Sequence, residues 1–214
     1  MSRIRKSFLA APLLLWALMT PPAFAQEPAP DVLIKAVVAE VTEAIRQDPA
    51  IQAGDARKIA ELVDAKIVPH FDFRRATQTA VGASWRRATP AQQERLIQEF
   101  KTLVLRTYSG ALSNYRDQVI EFRPLRARPD DTEVTVYSRV KQSGAEPIVI
   151  EYDMARGESG WKVFDIRVAG ISLVATYRTQ FADEVRNRGI DGLIELLASK
   201  NRQAVRPATA RARA

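Results

Sequence analysis

The chain of 214 residues contains no cysteine and only one histidine, His70. Without cysteine there are no disulfides and there is no thiol nucleophile. A single histidine excludes the HExxH type of metal site, which needs two histidines on one helix face. The fold must therefore be stabilised by buried apolar side chains, and one domain of ordinary size supplies enough of them at this length.

Motifs of nucleotide-binding and hydrolytic enzymes are missing as well. The sequence has no P-loop and no dinucleotide-binding fingerprint. Residues 170–174, GISLV, approach the G-x-S-x-G nucleophile elbow, but valine replaces the last glycine and the segment follows an antiparallel strand. We therefore predict no enzyme, no cofactor and no metal site.

The positive charge of the chain lies at its two ends. The formal net charge is +7, from 32 Lys and Arg against 25 Asp and Glu. Three of the cations fall in residues 1–25 and four in residues 202–214, so the rest of the chain is neutral. The basic balance is thus no evidence for nucleic-acid binding, and none is expected. Residues 202–214 are predicted to be a disordered basic tail, for which contact with anionic lipid head groups is the functional alternative.

The first 25 residues have the organisation of a cleavable signal peptide. A positive segment with Arg3, Arg5 and Lys6 precedes an apolar run over residues 8–19 and a small-x-small site at residues 23–25. The apolar run is shorter than the roughly 18 residues that span a bilayer. We predict export with cleavage after Ala25, and no lipid anchor because no cysteine follows that site.

Helical periodicity fills the first half of the mature chain. The strongest start signal is residues 89–92, TPAQ, which reads as a capping box with proline at the first helical position. We predict that this helix reaches Tyr115 and that Asp31, Asp55 and Asp72 cap three earlier helices.

From residue 118 the apolar period changes to two. Four strands are predicted at residues 119–125, 132–142, 147–154 and 161–168, and their short connections make them antiparallel neighbours. One face of this sheet is apolar and the other polar. Helices before and after it predict a single α+β domain over residues 26–201.

The stretch over residues 160–197 joins strand to helix. Its strand ends at Gly170, and Leu173, Tyr177 and Phe181 then share one face of a helix. A further helix is predicted to open at the GIDG turn, residues 189–192. These apolar faces leave open whether they enclose a cavity or a filled core.

Short fragments spread over residues 55–200 match one protein family in identity and order. They are Val68-Pro69-His70-Phe71-Asp72-Phe73, Val81-Gly82, Trp85-Arg86, Phe100, Tyr108, Tyr152-Asp153, Trp161-Lys162-Val163, Asp165, Gly170-Ile171-Ser172-Leu173-Val174, Tyr177-Arg178, Phe181 and Gly189-Ile190-Asp191-Gly192-Leu193-Ile194. With these fragments the chain resembles the MlaC, or toluene-tolerance, family of periplasmic phospholipid-binding proteins.

The resemblance carries expectations about fold and function. It implies a lipid cavity between the sheet and the helices that takes the acyl chains and leaves the head group outside. It also implies a monomeric periplasmic carrier that shuttles phospholipid between an outer-membrane lipoprotein complex and an inner-membrane ABC transporter complex, and so maintains outer-membrane lipid asymmetry. Such a carrier performs no bond chemistry.

Strand parity and helix faces select the residues that we predict to contact lipid. They are Phe100, Val104, Tyr108, Val136, Ile148, Ile150, Tyr152, Phe164, Ile166, Leu173, Tyr177 and Phe181.

Three other functions stay open from the sequence. The cargo is alternatively a hopanoid or another apolar lipid, because an apolar pocket selects by shape and volume. An enzyme with an apolar pocket would need His70 in a dyad with Asp165 or Asp72, although a structural role is the simpler interpretation of His70 and Asp165. An exported adaptor with a filled core is the third. Arg178 is expected to pair locally rather than to meet a lipid phosphate.

Overall fold

The structure, a computed structural model, describes residues 27–128, 130–142 and 144–203. The predicted signal peptide lies outside these residues. So does the predicted basic tail, apart from Arg202 and Gln203, which form the end of the last helix.

The described residues form six α-helices and five strands. The helices are α1 Pro30–Gln47, α2 Pro49–Gln52, α3 Ala56–Lys66, α4 Phe73–Val81, α5 Pro90–Tyr108 and α6 Arg178–Gln203. The strands are β1 Val119–Phe122, β2 Glu133–Lys141, β3 Ile148–Gly157, β4 Gly160–Val168 and β5 Ile171–Ser172. Short 3-10 turns occupy Val68–His70, Gly82–Arg87, Ser109–Asn114 and Ala175–Tyr177.

Three of the four predicted helix caps are present. Thr89 and Gln92 form the predicted capping box, and the Asp55 carboxylate accepts the backbone N–H groups of Arg57 and Lys58. Asp72 caps α4 in the same way. The prediction for Asp31 was wrong, because α1 already begins at Pro30 and the Asp31 carboxylate pairs with Lys35 instead.

One helix end differs from the prediction, and one predicted helix break is present. Helix α5 ends at Tyr108 and continues only as a 3-10 turn, so it is shorter than predicted. Helix α6 is interrupted at Gly189, where φ is 71°, which confirms the predicted break into two helices. A left-handed φ of this kind favours glycine because a Cβ would crowd the backbone.

The sheet is antiparallel, with its strands in chain order from β1 to β5. The four predicted strands are present. The fifth is a two-residue strand that pairs with the end of β4 after a tight turn at Ala169 and Gly170, whose φ angles are 51° and 81°. Two residues are too short to show an alternating pattern, which is why the sequence did not indicate β5.

A β-bulge interrupts the alternation of β4. Met154 pairs with Val163 and Tyr152 pairs with Ile166, so Phe164 and Asp165 together oppose Asp153. An extra residue of this kind shifts the face of every later side chain. Val163 and Ile166 therefore point to the same side of the sheet, and Phe164 does not share it.

Apolar side chains pack into three clusters. The sheet cluster joins Ile34 of α1 to Val136, Met154, Trp161 and Val163. The first helix cluster contains Val41, Ile45, Ile51, Ile59, Leu62 and Val63 from α1, α2 and α3. The second helix cluster is built by α4, α5 and α6 around Leu96, Phe100, Phe181, Leu193 and Leu197. The apolar core is therefore divided into three clusters, whereas a domain of this size usually has one continuous core.

The described residues contain neither a membrane-spanning helix nor a metal-binding cluster. No helix within them combines the length and the apolar character needed to cross a membrane. Nor do their His, Asp and Glu side chains gather into a group of three that would hold a metal ion.

Candidate binding cavity

An apolar cavity lies where the three clusters meet. It has a volume of about 180 Å³, and it is bounded by α3, α5, the end of β4 and the segment after β5. Its walls are formed by Val63, Ile67, Phe71, Phe73, Val104, Leu105, Tyr108, Ser109, Leu112, Ile166, Leu173 and Val174. Of these side chains only Tyr108 and Ser109 carry a polar atom.

Each cluster contributes part of the wall. Val63 and Leu105 belong to the first helix cluster, Phe73 and Val104 to the second, and Ile166 to the sheet cluster. Each of these side chains thus packs against its own cluster on one side and faces the cavity on the other. An apolar space of this kind accepts apolar ligands.

Asp165 fixes one wall of the cavity from behind. This carboxylate is 6% exposed, and it accepts hydrogen bonds from the Ser172 hydroxyl and from the backbone N–H of Val174 at 3.2 Å. The Ser172 Oγ in turn accepts the N–H of Ala175 at 2.7 Å. These bonds hold Leu173 and Val174 in the wall. Burial raises the pKa of Asp165 above its ordinary value, and the hydrogen bonds act in the opposite direction.

Tyr108 places the one phenol in the wall. Burial raises the pKa of Tyr108 to about 12, with smaller contributions from the nearby Tyr177 and Asp165. The phenol is therefore neutral at physiological pH. The cavity thus presents methyl and ring carbons and no side-chain charge, a surface suited to a hydrocarbon chain.

The structure places four of the predicted lipid residues in this wall: Val104, Tyr108, Ile166 and Leu173. Three others form an aromatic group in the second helix cluster. The Phe100 ring lies 5.2 Å from that of Tyr177 and 5.4 Å from that of Phe181, edge to face in both cases. Phe100 and Phe181 are completely buried there.

The remaining predicted residues lie along the sheet, outside the cavity wall. Val136 and Tyr152 pack in the sheet cluster, where the Ser138 hydroxyl donates to Tyr152 Oη at 3.4 Å. Ile150 pairs with Val168, while Ile148 is 38% exposed. Phe164 stacks under Arg75, whose guanidinium carbon is 4.1 Å from the ring centre.

Several wall residues were not singled out from the sequence. Val63 and Ile67 belong to a helical stripe that looked like ordinary core, and Leu105 and Leu112 continue the apolar stripe of α5. The best available signal was the fragment over residues 68–73, because it supplies Phe71 and Phe73. Its Asp72 N–H bonds the Val163 carbonyl at 2.8 Å, which brings the fragment to the edge of β4.

The two polar candidates of the sequence lie apart from the cavity. His70 does not line it, and the charged groups that act on its pKa are Lys162 and Glu40; burial lowers that pKa. Arg178 donates two hydrogen bonds to the Thr79 carbonyl near the end of α4, at 3.1 and 3.2 Å. These positions give no support to a dyad of His70 with Asp165, and they give Arg178 a local structural contact.

Comparison with known proteins identifies relatives of the whole domain. The sequence model of a family described as MlaC protein matches residues 35–199. The intermembrane phospholipid transport system binding protein MlaC of Haemophilus influenzae is 22% identical over 206 residues, which cover 95% of this chain and 96% of that protein. The toluene tolerance protein ttg2D of Pseudomonas putida is 31% identical over 106 residues, about half of each chain.

A solved structure has the same fold. It is a phospholipid-binding protein from Ralstonia solanacearum in complex with a phospholipid, with 42% sequence identity and a TM-score of 0.76. The match covers 82% of this chain and 98% of that one.

Proposed function

This chain belongs to the MlaC family, and on that premise we propose that it is a periplasmic phospholipid carrier. The acyl chains of the lipid occupy the apolar cavity and the head group remains outside. The signal peptide is removed after Ala25, and residues 26–201 act as one lipid-binding domain followed by the basic tail.

The observation that supports this proposal is the unfilled cavity at the junction of the three clusters. Ordinary cores are packed as densely as organic crystals, so an apolar space lined by twelve residues is a costly feature unless it has an occupant. Among the described residues that form its wall, none has a charged side chain that would bind a polar metabolite. A relative with the same fold holds a phospholipid.

The energetics of transfer explain why a carrier needs such a cavity. Burial of one methylene is favourable by about 0.8 kcal/mol. Moving two acyl chains from a bilayer into water would therefore cost a free energy on the order of 20 kcal/mol. If the protein shields the acyl chains from water almost as well as the bilayer does, the net free-energy change of moving the lipid from bilayer to protein is small. We propose that direction comes from membrane partners, an outer-membrane lipoprotein complex and an inner-membrane ABC transporter complex, and that this traffic maintains outer-membrane asymmetry.

The cavity must widen to accept a whole lipid. Its volume of about 180 Å³ is below the roughly 300–1,000 Å³ of ligand pockets. We propose that the boundaries between the clusters separate during loading, because each cluster keeps its own core.

A transfer assay tests the proposal. Purified residues 26–214 are mixed with donor vesicles that contain labelled phospholipid and with unlabelled acceptor vesicles, and the rate of label transfer is measured. We expect a rate proportional to protein concentration. A rate equal to that of vesicles alone would contradict the proposal, while preferential transfer of a hopanoid in the same assay would reassign the cargo.

A further inference from the structure

The apolar cavity adjoins a larger groove on the surface. This groove runs between α3 and the C-terminal half of α5, with a volume of about 680 Å³. Val63, Leu105 and Ser109 line both spaces and form the partition between them. These three residues are therefore the side chains that separate the cavity from the groove.

The contact between α3 and α5 is weak across this partition. Helix α3 packs chiefly against the 3-10 turns on either side of the cavity and against α1, while α5 packs against α4 and α6. Within the described residues no hydrogen bond or ion pair joins α3 to α5. Apolar contacts such as that of Leu105 with the first helix cluster close the partition, and they are non-directional.

The charges along the groove suit an anion whose tail is apolar. Lys101 and Arg106 line it from α5, and Asp64 is the one acidic side chain in its lining. In the described part of the chain the Lys101 ammonium has no carboxylate within salt-bridge distance. It lies 5.4 Å from the ring centre of Phe73, which is itself part of the cavity wall. A cation thus stands at the boundary between groove and cavity.

We propose that the groove between α3 and α5 is the mouth of the lipid site, a proposal that rests on the function proposed above. An acyl chain passes between Val63 and Leu105 into the cavity. The phosphodiester of the head group stays in the groove beside Lys101. Lysine ammonium is a point charge that binds phosphate without a fixed geometry, which suits a head group that must leave again.

The absence of cysteine permits a specific block of the mouth. Ala60 is exposed and lines the groove, whereas Ala65 is exposed on the same helix and does not line it. Ala60→Cys and Ala65→Cys are each alkylated with a bulky maleimide, and uptake of labelled phosphatidylglycerol from vesicles is compared before and after alkylation. Crowding the passage should slow uptake about tenfold for the Ala60→Cys adduct, and the Ala65→Cys adduct should be unaffected.

The charge of the mouth is tested separately. Lys101→Glu should slow uptake of phosphatidylglycerol by about two- to fivefold, the effect of one exposed ionic contact. Arg86→Glu is the control, because Arg86 is an exposed cation that lines a different surface depression. Excess inorganic phosphate should leave the wild-type rate unchanged. If free phosphate slows uptake by the wild-type protein as much as the Lys101→Glu substitution does, then Lys101 binds a soluble anion. That result would contradict the proposal that the groove is the mouth of the lipid site.

The outcomes separate this inference from the proposed function. If the unmodified protein takes up no phospholipid, both the proposed function and the proposed mouth are contradicted. If the unmodified protein takes up lipid and the two adducts load at equal rates, the mouth alone is contradicted. Slower loading of the Ala60→Cys adduct, with Lys101→Glu slower than Arg86→Glu, supports both.

Discussion

The two halves of helix α5 carry similar apolar side chains in different surroundings. Leu96 and Phe100, in the N-terminal half, are completely buried in the second helix cluster. Val104 and Tyr108, one and two turns further on, face the cavity. The side chains repeat at helical spacing throughout, so the difference comes from the neighbours of α5 and not from α5 itself.

The neighbours differ because Leu96 and Phe100 lie inside one cluster, whereas Val104 and Tyr108 lie at its edge. Residues of α4 and α6 surround Leu96 and Phe100 in the second helix cluster, and the rings of Tyr177 and Phe181 complete the space around Phe100. The C-terminal half faces α3 and the end of β4, which belong to other clusters. A binding site thus arises here where three cores meet without merging.

The largest effect is expected for Phe100→Ala in the filled half. Loss of a fully buried aromatic ring should reduce the free energy of unfolding by about 3–5 kcal/mol, measured by urea denaturation. Lipid occupancy of the fraction that remains folded should be close to that of the wild type. A loss below about 1 kcal/mol would show that the cluster around Phe100 is not filled.

An intermediate effect is expected from filling the other half. Val104→Phe adds bulk where space already exists, so its stability should change by less than about 1.5 kcal/mol while lipid occupancy falls. Leu103→Phe is the matched control, because Leu103 is the adjacent residue and packs against the second helix cluster instead of the cavity. Equal occupancy in the two variants, measured by lipid extraction, would contradict the assigned wall.

The wall held by Asp165 should show a pH dependence. Its raised pKa means that the folded protein holds the proton more tightly than the unfolded chain, whose carboxyl titrates near 3.8. This contribution to stability is fully present below that pH and is lost as the pH rises through the folded-state pKa. We expect the stability of wild type minus that of Asp165→Asn to fall as the pH rises above 3.8. A difference that is constant with pH in urea melts would contradict the raised pKa.

The smallest effect is expected at the exposed end of the sheet. Ile148 is 38% exposed, so Ile148→Ser should change the free energy of unfolding by less than about 0.5 kcal/mol. Lipid occupancy should also be unchanged, because the residue does not line the cavity. Reduced occupancy at full stability would show that bound lipid extends along the sheet as far as this strand.

Much of the fold follows from local features of the sequence. The capping box at Thr89, the caps at Asp55 and Asp72 and the break at Gly189 each act within a few residues, and all are present. The four longer strands follow from their alternation. The bulge at Phe164 does not, because it depends on the pairing with β3, and it separates the faces of Phe164 and Ile166.

The cavity is less visible from the sequence than the fold. Phe100 and Val104 lie on one apolar stripe, and a filled core and an empty wall both require such a stripe. Which of them forms depends on the docking of α3, α4 and α6, which involves residues distant along the chain. The predicted role of the twelve lipid residues remains a prediction, to be resolved by the variants above.

Native mass spectrometry of residues 26–214, purified from cells without added lipid, shows whether the cavity holds lipid. We expect a monomer that carries one or more bound molecules, which organic extraction identifies as phospholipid. We also expect that Val104→Phe loses this adduct while Leu103→Phe keeps it. A wild-type protein that is free of lipid after gentle purification, and that stays free after incubation with phospholipid vesicles, would contradict the claim that the cavity holds lipid.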